Sequence, residues 1–140
     1  MNQQVREFFV KYEKANSTSD LSGIGSLYAE TFMFAGPNGT QAVRKEDFLK
    51  VVPKMKAHYA SMGISQTELH SMEMSTLNSK YVLATVVWRI KFRDSPEKRY
   101  VDASATYVLV RGEGDALCIV FQLDHQDLAS VVKGLQPTQQ

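Results

Sequence analysis

The segment Tyr12–Phe32 constrains the fold of this chain most, because it places two short amphipathic helices directly before a strand. The first helix has one apolar stripe at the spacing i, i+3, i+4, i+7, formed by Val5, Phe8, Phe9 and Tyr12. Asp20 is placed to open the second helix. The apolar face of that second helix comprises Ile24, Leu27 and Tyr28. Two adjacent helices with single apolar stripes are typical of a layer that covers a sheet.

A small hairpin and a third helix follow this helical pair. Thr31–Ala35 and Thr40–Val43 have the composition of short strands, and the four turn-forming residues Gly36–Gly39 predict a tight reversal between them. Lys45–Met62 carries apolar residues at helical spacing and predicts the third helix. Pro53 lies inside that helix and lacks a backbone donor, so we expect a kink or a restart there.

The second half of the chain changes from helical to strand periodicity. Four runs rich in β-branched and aromatic residues are separated by short turns: Glu68–Leu77, Tyr81–Arg93, Arg99–Arg111 and Ala116–Leu123. Such links predict an antiparallel meander that curls around the helices. The expected fold class is therefore α+β, with a curved antiparallel sheet wrapped around three N-terminal helices. A terminal helix at 128–135 would complete a single domain, 1–135, followed by a flexible tail, 136–140.

Composition bounds the partners and the location. The 140 residues suit one domain, and a formal net charge of +1 gives no electrostatic reason to expect nucleic acid or an anionic membrane. Cys118 is the only cysteine, so no intrachain disulfide can form. No segment approaches the roughly 20 apolar residues of a membrane span, and the charged N-terminus cannot serve as a signal-peptide core. We expect a cytoplasmic protein.

The order of these elements resembles that of the ketosteroid isomerase and nuclear transport factor two-like superfamily, which includes SnoaL-like polyketide cyclases. The run DLSGIGSLYAETF is similar to the DLDGIxxLYADDA pattern of that superfamily. The segment GPNGTQAVRKEDF resembles its hairpin and helix start, and GEGDALCIVFQLDH resembles its last strand. The resemblance implies a cone-shaped α+β barrel with a pocket at its open end.

The resemblance also implies catalytic positions, which this chain fills only in part. Tyr12 matches the tyrosine that donates a hydrogen bond to the developing enolate in ketosteroid isomerases. The general base of that family falls at Ala35 or Gly36, and neither residue accepts a proton. The second oxyanion donor aligns with Thr106, a weaker donor. Steroid isomerisation is therefore not expected.

Strand alternation, combined with these alignments, predicts which side chains face the pocket. On the third run one face carries Asp102, Ser104, Thr106 and Val108, and on the last run one face carries Ile119, Phe121, Leu123 and His125. On the second run Trp88 shares an apolar face with its even-numbered neighbours. The predicted pocket-lining residues are Tyr28, Trp88, Thr106, Ile119 and Phe121.

Three residues are the candidate catalytic groups: Tyr12, Asp102 and His125. Asp102 and His125 form a plausible acid–base pair because both have the predicted parity and lie near strand ends. A structural alternative stays open for each. Asp102 is then solvated beside Arg89 or Arg99, His125 caps the terminal helix, and Tyr12 is a core tyrosine. His58, His70 and His125 lack metal-binding spacing, so no metal or other cofactor is expected.

Two functional hypotheses follow. In the first, an apolar pocket binds a small hydrophobic molecule and supports lyase, isomerase or cyclase chemistry. In the second, the domain is a noncatalytic dimerisation or protein-interaction module. A homodimer is expected in either case, because the sheet face away from the helices would expose many apolar residues. The predicted interface comprises Tyr81, Leu83, Thr85, Val87, Val101, Ala103, Ala105, Tyr107 and Leu109.

Overall fold

The computed structural model describes residues 2–93 and 100–126 of the chain. Within these residues lie three α-helices: α1 (Asn2–Ser17), α2 (Leu21–Gly25) and α3 (Lys45–Ser61). A 3-10 helix, Glu113–Asp115, occupies the last turn before the final strand. The predicted terminal helix at 128–135 and the predicted tail at 136–140 lie outside the described residues.

Six strands form one sheet: β1 (Tyr28–Gly36), β2 (Gly39–Arg44), β3 (Ile64–Thr76), β4 (Tyr81–Phe92), β5 (Tyr100–Arg111) and β6 (Leu117–Asp124). The strand order is β2-β1-β6-β5-β4-β3. Every neighbouring pair is antiparallel except β1 and β6, which run parallel because the N-terminal hairpin joins the edge of the C-terminal meander. The predicted α+β class with a curved sheet around N-terminal helices is confirmed.

The helical pair forms as its sequence predicts, with one boundary corrected. Val5 and Phe9 of the α1 stripe are fully buried. Asp20 caps α2 by accepting a hydrogen bond from the Gly23 amide at 3.0 Å. Tyr28, predicted on the α2 face, instead begins β1, because α2 ends at Gly25. The tyrosine ring thus enters the core from the sheet.

Helix α3 runs from Lys45 to Ser61 as one element with Pro53 inside it, so the helix does not restart at the proline. Gly63 follows with φ of +89°, a conformation that favours glycine at a helix end. Val52 is buried as predicted. Val51, placed in the same stripe by sequence, is 47% exposed.

The apolar face predicted for β4 is confirmed, since Val82, Ala84, Val86, Trp88 and Ile90 are all buried. This inner face packs against α1 in the core. The residues between them form the outer face of the sheet, which points away from the helices.

The register between β4 and β5 corrects the predicted parity of β5. Trp88 lies opposite Ala103, and Ala84 lies opposite Tyr107. Directly paired residues share a face, so the odd-numbered residues of β5 face the core. Tyr107 and Leu109, predicted in an exposed dimer interface, are buried. Asp102 and Thr106 consequently lie on the outer face.

A bulge in β6 corrects the parity of the last strand. Val108 pairs with Phe121, whereas the next residue, Leu109, pairs with Ile119, so Val120 is an extra residue in β6. Ile119 faces the core as predicted. Beyond the bulge the alternation is reversed. Phe121, Leu123 and His125 therefore lie on the outer face, and Gln122 and Asp124 lie on the inner face.

Candidate functional site

Aromatic side chains from α1, β1, α3, β4 and β5 pack together in the core, between the helices and the inner face of the sheet. The Tyr12 ring stacks on Trp88 with ring centroids 5.2 Å apart and planes 27° apart. Tyr107 approaches Tyr12 at 5.9 Å, and Tyr28 packs against Phe48 at 4.8 Å. This aromatic cluster, which we call the aromatic interior, offers flat apolar surfaces with few polar atoms.

Six residues of this part of the core, here called the interior network, are hydrogen-bonded in two adjacent groups: Trp88 with Tyr107, and Tyr12 with Tyr28, Gln122 and Asp124. Trp88 Nε1 donates to the Tyr107 hydroxyl at 3.0 Å. The Tyr12 and Tyr28 hydroxyls are 3.1 Å apart. Tyr28 donates to Gln122 Oε1 at 2.7 Å. Gln122 Nε2 donates to Asp124 Oδ1 at 3.0 Å.

Part of the interior network has a fixed direction. An ionised carboxylate only accepts, so Gln122 donates its amide to Asp124 and turns Oε1 towards Tyr28. Because Tyr28 gives its hydrogen to Gln122, it must accept from Tyr12. The hydroxyl hydrogens of Tyr12 and Tyr28 therefore point towards Asp124.

Burial governs the titration of this network. It raises the pKa of the Asp124 carboxyl, although the hydrogen bond from Gln122 and the nearby His125 act in the opposite direction. Burial also raises the pKa of Tyr12, and it raises those of Tyr28 and Tyr107 well above the usual value. The three phenols are therefore neutral near pH 7, and Asp124 is the group in the network that can exchange a proton.

A second contact fixes α1, and with it Tyr12, against the sheet. The register between β3 and β4 shifts between Leu69 and Ser71. The Leu69 amide donates to the Glu13 carboxylate at 2.6 Å. Glu13 adjoins Tyr12 on α1, so this bond holds the helix at the height where Tyr12 meets Trp88.

The outer face carries a separate charged cluster: Glu68, His70, Arg89, Lys91, Tyr100 and Asp102. Arg89 binds Asp102 through two hydrogen bonds of 2.9 and 3.1 Å, which hold the pKa of that carboxyl below its usual value. The guanidinium lies 3.9 Å from the centroid of the Tyr100 ring. His70 Nε2 lies 3.2 Å from Arg89 and must accept there, because arginine only donates. A cleft of about 300 Å³ opens beside the cluster.

His125 joins this outer face too, at a different point. Its Nε2 lies 2.7 Å from the Thr106 hydroxyl, which is 3.5 Å from the Thr85 hydroxyl. The structure therefore separates the three predicted catalytic residues. Tyr12 is inside the cone, whereas Asp102 and His125 are outside it and in different contacts. Of the predicted pocket residues, Tyr28, Trp88 and Ile119 line the interior, and Thr106 and Phe121 do not.

A family model described as NTF2-like protein (DUF6841) matches residues 1–126. The chain belongs to this NTF2-like family. The NTF2-like fold includes small-molecule-binding and SnoaL-like polyketide cyclase-type proteins. No curated protein matches the sequence.

Solved structures of low identity share the fold of this NTF2-like protein. An NTF-2 like protein of unknown function from Shewanella oneidensis has a TM-score of 0.72 at 14% identity, covering 89% of this chain and 98% of that one. ActVI-ORFA from Streptomyces coelicolor has a TM-score of 0.72 at 15% identity, covering 91% and 98%. A putative calcium/calmodulin dependent protein kinase II association domain from Xanthomonas campestris has a TM-score of 0.68 at 14% identity, covering 91% and 88%.

Sequence reasoning missed three members of the interior network of this NTF2-like protein: Tyr107, Gln122 and Asp124. Gln122 was the available signal, since a lone amide inside the apolar run CIVFQL has to find a buried partner. The interior position of Asp124 depends on the bulge at Val120, which the sequence does not mark.

Two further searches cover residues 2–93 and 100–126 alone. In these ranges no three side chains among His, Cys, Asp and Glu are arranged to hold a metal ion. None of the helices there combines the length and the apolar character that crossing a membrane requires.

Proposed function

We propose that this NTF2-like protein binds a small hydrophobic molecule in its aromatic interior and moves a proton on it, as isomerases, lyases and cyclases do. The observation that carries the proposal is Asp124, a half-buried carboxyl at the end of the interior network whose pKa is raised by burial. A general base works best when its pKa approaches the working pH, and an apolar setting moves a carboxyl in that direction.

Each part of the interior has a role in this proposal. Gln122 holds Asp124 Oδ1, and Oδ2 has no hydrogen-bond partner within the described residues. Oδ2 is therefore the atom that accepts the substrate proton. The stacked rings of Tyr12 and Trp88 supply a flat apolar wall for the ligand. Asp102 and His125 take no part, because they lie on the other face of the sheet.

The proposed step needs no co-reactant. A C–H bond of the substrate breaks, its proton passes to Asp124 Oδ2, and its electron pair stays on the substrate as a conjugated anion. The same proton then returns to a different atom of that anion. The bound molecule is thereby isomerised, and Asp124 is ionised again.

Deuterium exchange tests this function without knowledge of the substrate. The fused-ring ketones 2-tetralone and 2-indanone have acidic C–H bonds, and their exchange in D2O is followed by NMR. We expect the protein to accelerate exchange and Asp124→Asn to reduce the enzyme-dependent rate by about a hundred-fold, a usual contribution of a general base. Asp102→Asn is the matched control and retains the rate. Equal rates with wild type and Asp124→Asn for both ketones contradict the proposal.

We propose a homodimer as the second function, with a second copy of the chain on the outer face. A specific observation favours it: partly exposed apolar side chains are adjacent across three strands, namely Leu83, Val87, Val108, Val110, Phe121 and Leu123. The strands β3 to β6 span about 19 by 36 Å, or roughly 700 Å². That area approaches the ~800 Å² that each partner of a standard interface buries.

Two further points support a second copy as the occupant. The charged cluster contains both signs, with the ion pairs Arg89–Asp102 and Lys91–Glu68, so two copies related by a two-fold axis do not confront like charges alone. The structure from Xanthomonas campestris is described as an association domain.

Sedimentation velocity tests the dimer. Val108→Glu puts a charge in the middle of the apolar patch. We expect this variant to need an about ten-fold higher protein concentration than the wild type to form the dimer. Val51→Glu changes an exposed valine on α3, away from the outer face, and leaves the dimer intact. A wild-type protein that sediments as a monomer at high micromolar concentration contradicts this proposal.

A further inference from the structure

The cleft of about 300 Å³ on the outer face has no part in the proposed proton transfer. Three strands line this cleft, β3 with Glu68, Leu69 and His70, β4 with Arg89 and Lys91, and β5 with Tyr100. The sheet itself separates the cleft from the aromatic interior. Along β4, Arg89 is six residues, or about 20 Å, from Leu83 of the apolar patch. The cleft is therefore a distinct place for a ligand.

Arg89 is held in this cleft from three sides. Its Nε and Nη2 donate to the two oxygens of Asp102 at 2.9 and 3.1 Å. Nη2 also donates to His70 Nε2 at 3.2 Å, and the guanidinium carbon lies 3.9 Å from the centroid of the Tyr100 ring. Because the side chain is already ordered, a ligand that binds it causes little further loss of side-chain entropy.

A backbone irregularity in β3 brings His70 into the cleft. Leu69 pairs with Trp88 and Ser71 pairs with the next residue of β4, so His70 is the extra residue of a β-bulge. Bulges of this kind re-aim a side chain and are frequent beside functional sites. Because His70 Nε2 accepts from Arg89, the hydrogen of the neutral imidazole is on Nδ1. His70 therefore adds a hydrogen-bond donor to the lining.

The acceptors of the cleft are largely engaged, whereas donors remain. Within residues 2–93 and 100–126, Arg89 Nη1 makes no hydrogen bond. Lys91 Nζ lies 3.0 Å from Glu68 Oε2 and carries two further hydrogens. Arg89 and Lys91 are two residues apart on β4 and so extend from the same face, with backbones about 7 Å apart. A ligand with acceptor atoms can contact both cations.

We infer that this cleft binds small monocarboxylates with an apolar body. The carboxylate accepts from Arg89 Nη1 and Lys91 Nζ, and the body packs along Leu69 and Tyr100. Glu68 and Asp102 already place two negative charges beside the two cations, so a dianion such as phosphate meets stronger repulsion than a monoanion. The inference is independent of the proton transfer proposed for the aromatic interior.

The test is an NMR titration of the full chain with benzoate at pH 8, followed through the backbone amides. We expect benzoate to shift the amides of the cleft, at 68–70, 89–91 and 100–102. Benzamide has the same shape without the charge, and inorganic phosphate is mainly a dianion at this pH. Each should bind at least about ten-fold more weakly than benzoate, because a hydrogen bond to a charged group is the stronger one and because the added charge is repelled.

Three variants locate the binding. Arg89→Lys keeps the positive charge but lacks the planar fork, and Lys91→Met removes the second cation; each should weaken benzoate binding about ten-fold. Lys80→Met is the matched control, because this exposed lysine lies in the turn between β3 and β4 and its loss changes the net charge equally. The amide spectrum of each variant also reports whether it is folded.

Several outcomes overturn the inference. Equal affinity for benzoate and benzamide, or tighter binding of phosphate, excludes the monocarboxylate class. An equal loss of affinity in Lys80→Met shows general charge attraction without a site. Binding by Val108→Glu alone, the variant that weakens the proposed dimer, shows that a second copy covers the cleft. An absence of shifts at 68–70, 89–91 and 100–102 at high millimolar benzoate excludes the site altogether.

Discussion

The inner and outer faces of β4, β5 and β6 each carry an aspartate, and the two carboxyls titrate in opposite directions. Burial at the end of the interior network raises the pKa of Asp124. On the outer face, two hydrogen bonds from Arg89 lower the pKa of the exposed Asp102. Inside, polar groups are few and are hydrogen-bonded to one another; outside, they are ion-paired and exposed to solvent. The comparison teaches that the environment, and not the residue type, decides which carboxyl can carry a proton.

Replacing a leucine on each face gives the largest expected difference in the free energy of unfolding. Leu109 is fully buried on the inner face, so Leu109→Ala should lower the free energy of unfolding by about 2–5 kcal/mol. Leu83 is partly exposed on the outer face, and Leu83→Ala should cost less than about 1 kcal/mol in dilute protein, where a dimer dissociates. Urea unfolding measures both values. Similar losses would show that the outer face is also covered within a single chain.

Tyrosines sharpen the comparison at the level of hydrogen bonding. Tyr28→Phe leaves the Tyr12 hydroxyl and Gln122 Oε1 without their common partner, and we expect a loss of about 1–3 kcal/mol in the free energy of unfolding. Tyr100 is 48% exposed, so Tyr100→Phe should be nearly neutral. Chemical denaturation of the two variants measures both changes in the free energy of unfolding. A neutral Tyr28→Phe would mean that the network contributes no stability.

The two aspartates give the smallest effect, and its sign depends on pH. Because the folded pKa of Asp124 is raised, the folded state binds more protons between the unfolded pKa, about 3.9, and the folded pKa, and stability falls as pH rises through that window. Asp124→Asn should therefore stabilise the protein at pH 8 and lose this advantage below about pH 4.

Asp102 should behave in the opposite way. Its folded pKa is lowered, so its contribution is present above the unfolded pKa and is lost as pH falls through the folded value. Asp102→Asn should destabilise the protein slightly at pH 8, by well under 1 kcal/mol because the pair is exposed. Melting temperatures of both variants from pH 4 to 8 test the pair. The same sign for both variants at pH 8 would contradict the proposed environments.

Much of the fold followed from periodicity. The alternation of β4 identified its buried face because five apolar residues recur at every second position. A single exception does not change the parity of so long a run. The α1 stripe and the Asp20 cap were equally local signals. The parallel pairing of β1 with β6 could not be predicted, because it depends on how two distant segments meet.

The sequence predicted candidate-site residues only on elements whose apolar pattern is long and regular. Tyr12 and Trp88 were found because their helix and strand each have an unambiguous apolar face, whereas Tyr28 was found through the apolar spacing of α2 although it begins β1. On β5 the small residues Ala103, Ser104 and Ala105 do not distinguish the two faces. Parity there was inferred from a resemblance, and only the register with β4 settles it.

The extra residue at Val120 has a consequence for how this site can change. Asp124 and His125 are neighbours in sequence, and the insertion alone decides which of the two enters the cone. In a regular strand of the same sequence, without the bulge, Phe121, Leu123 and His125 would face the interior, and Gln122 and Asp124 would face outward. In this sheet the side chains that reach the interior are thus selected by the pairing of the backbone, and a change that only removes or moves the bulge would replace an acid and an amide by an imidazole and apolar groups.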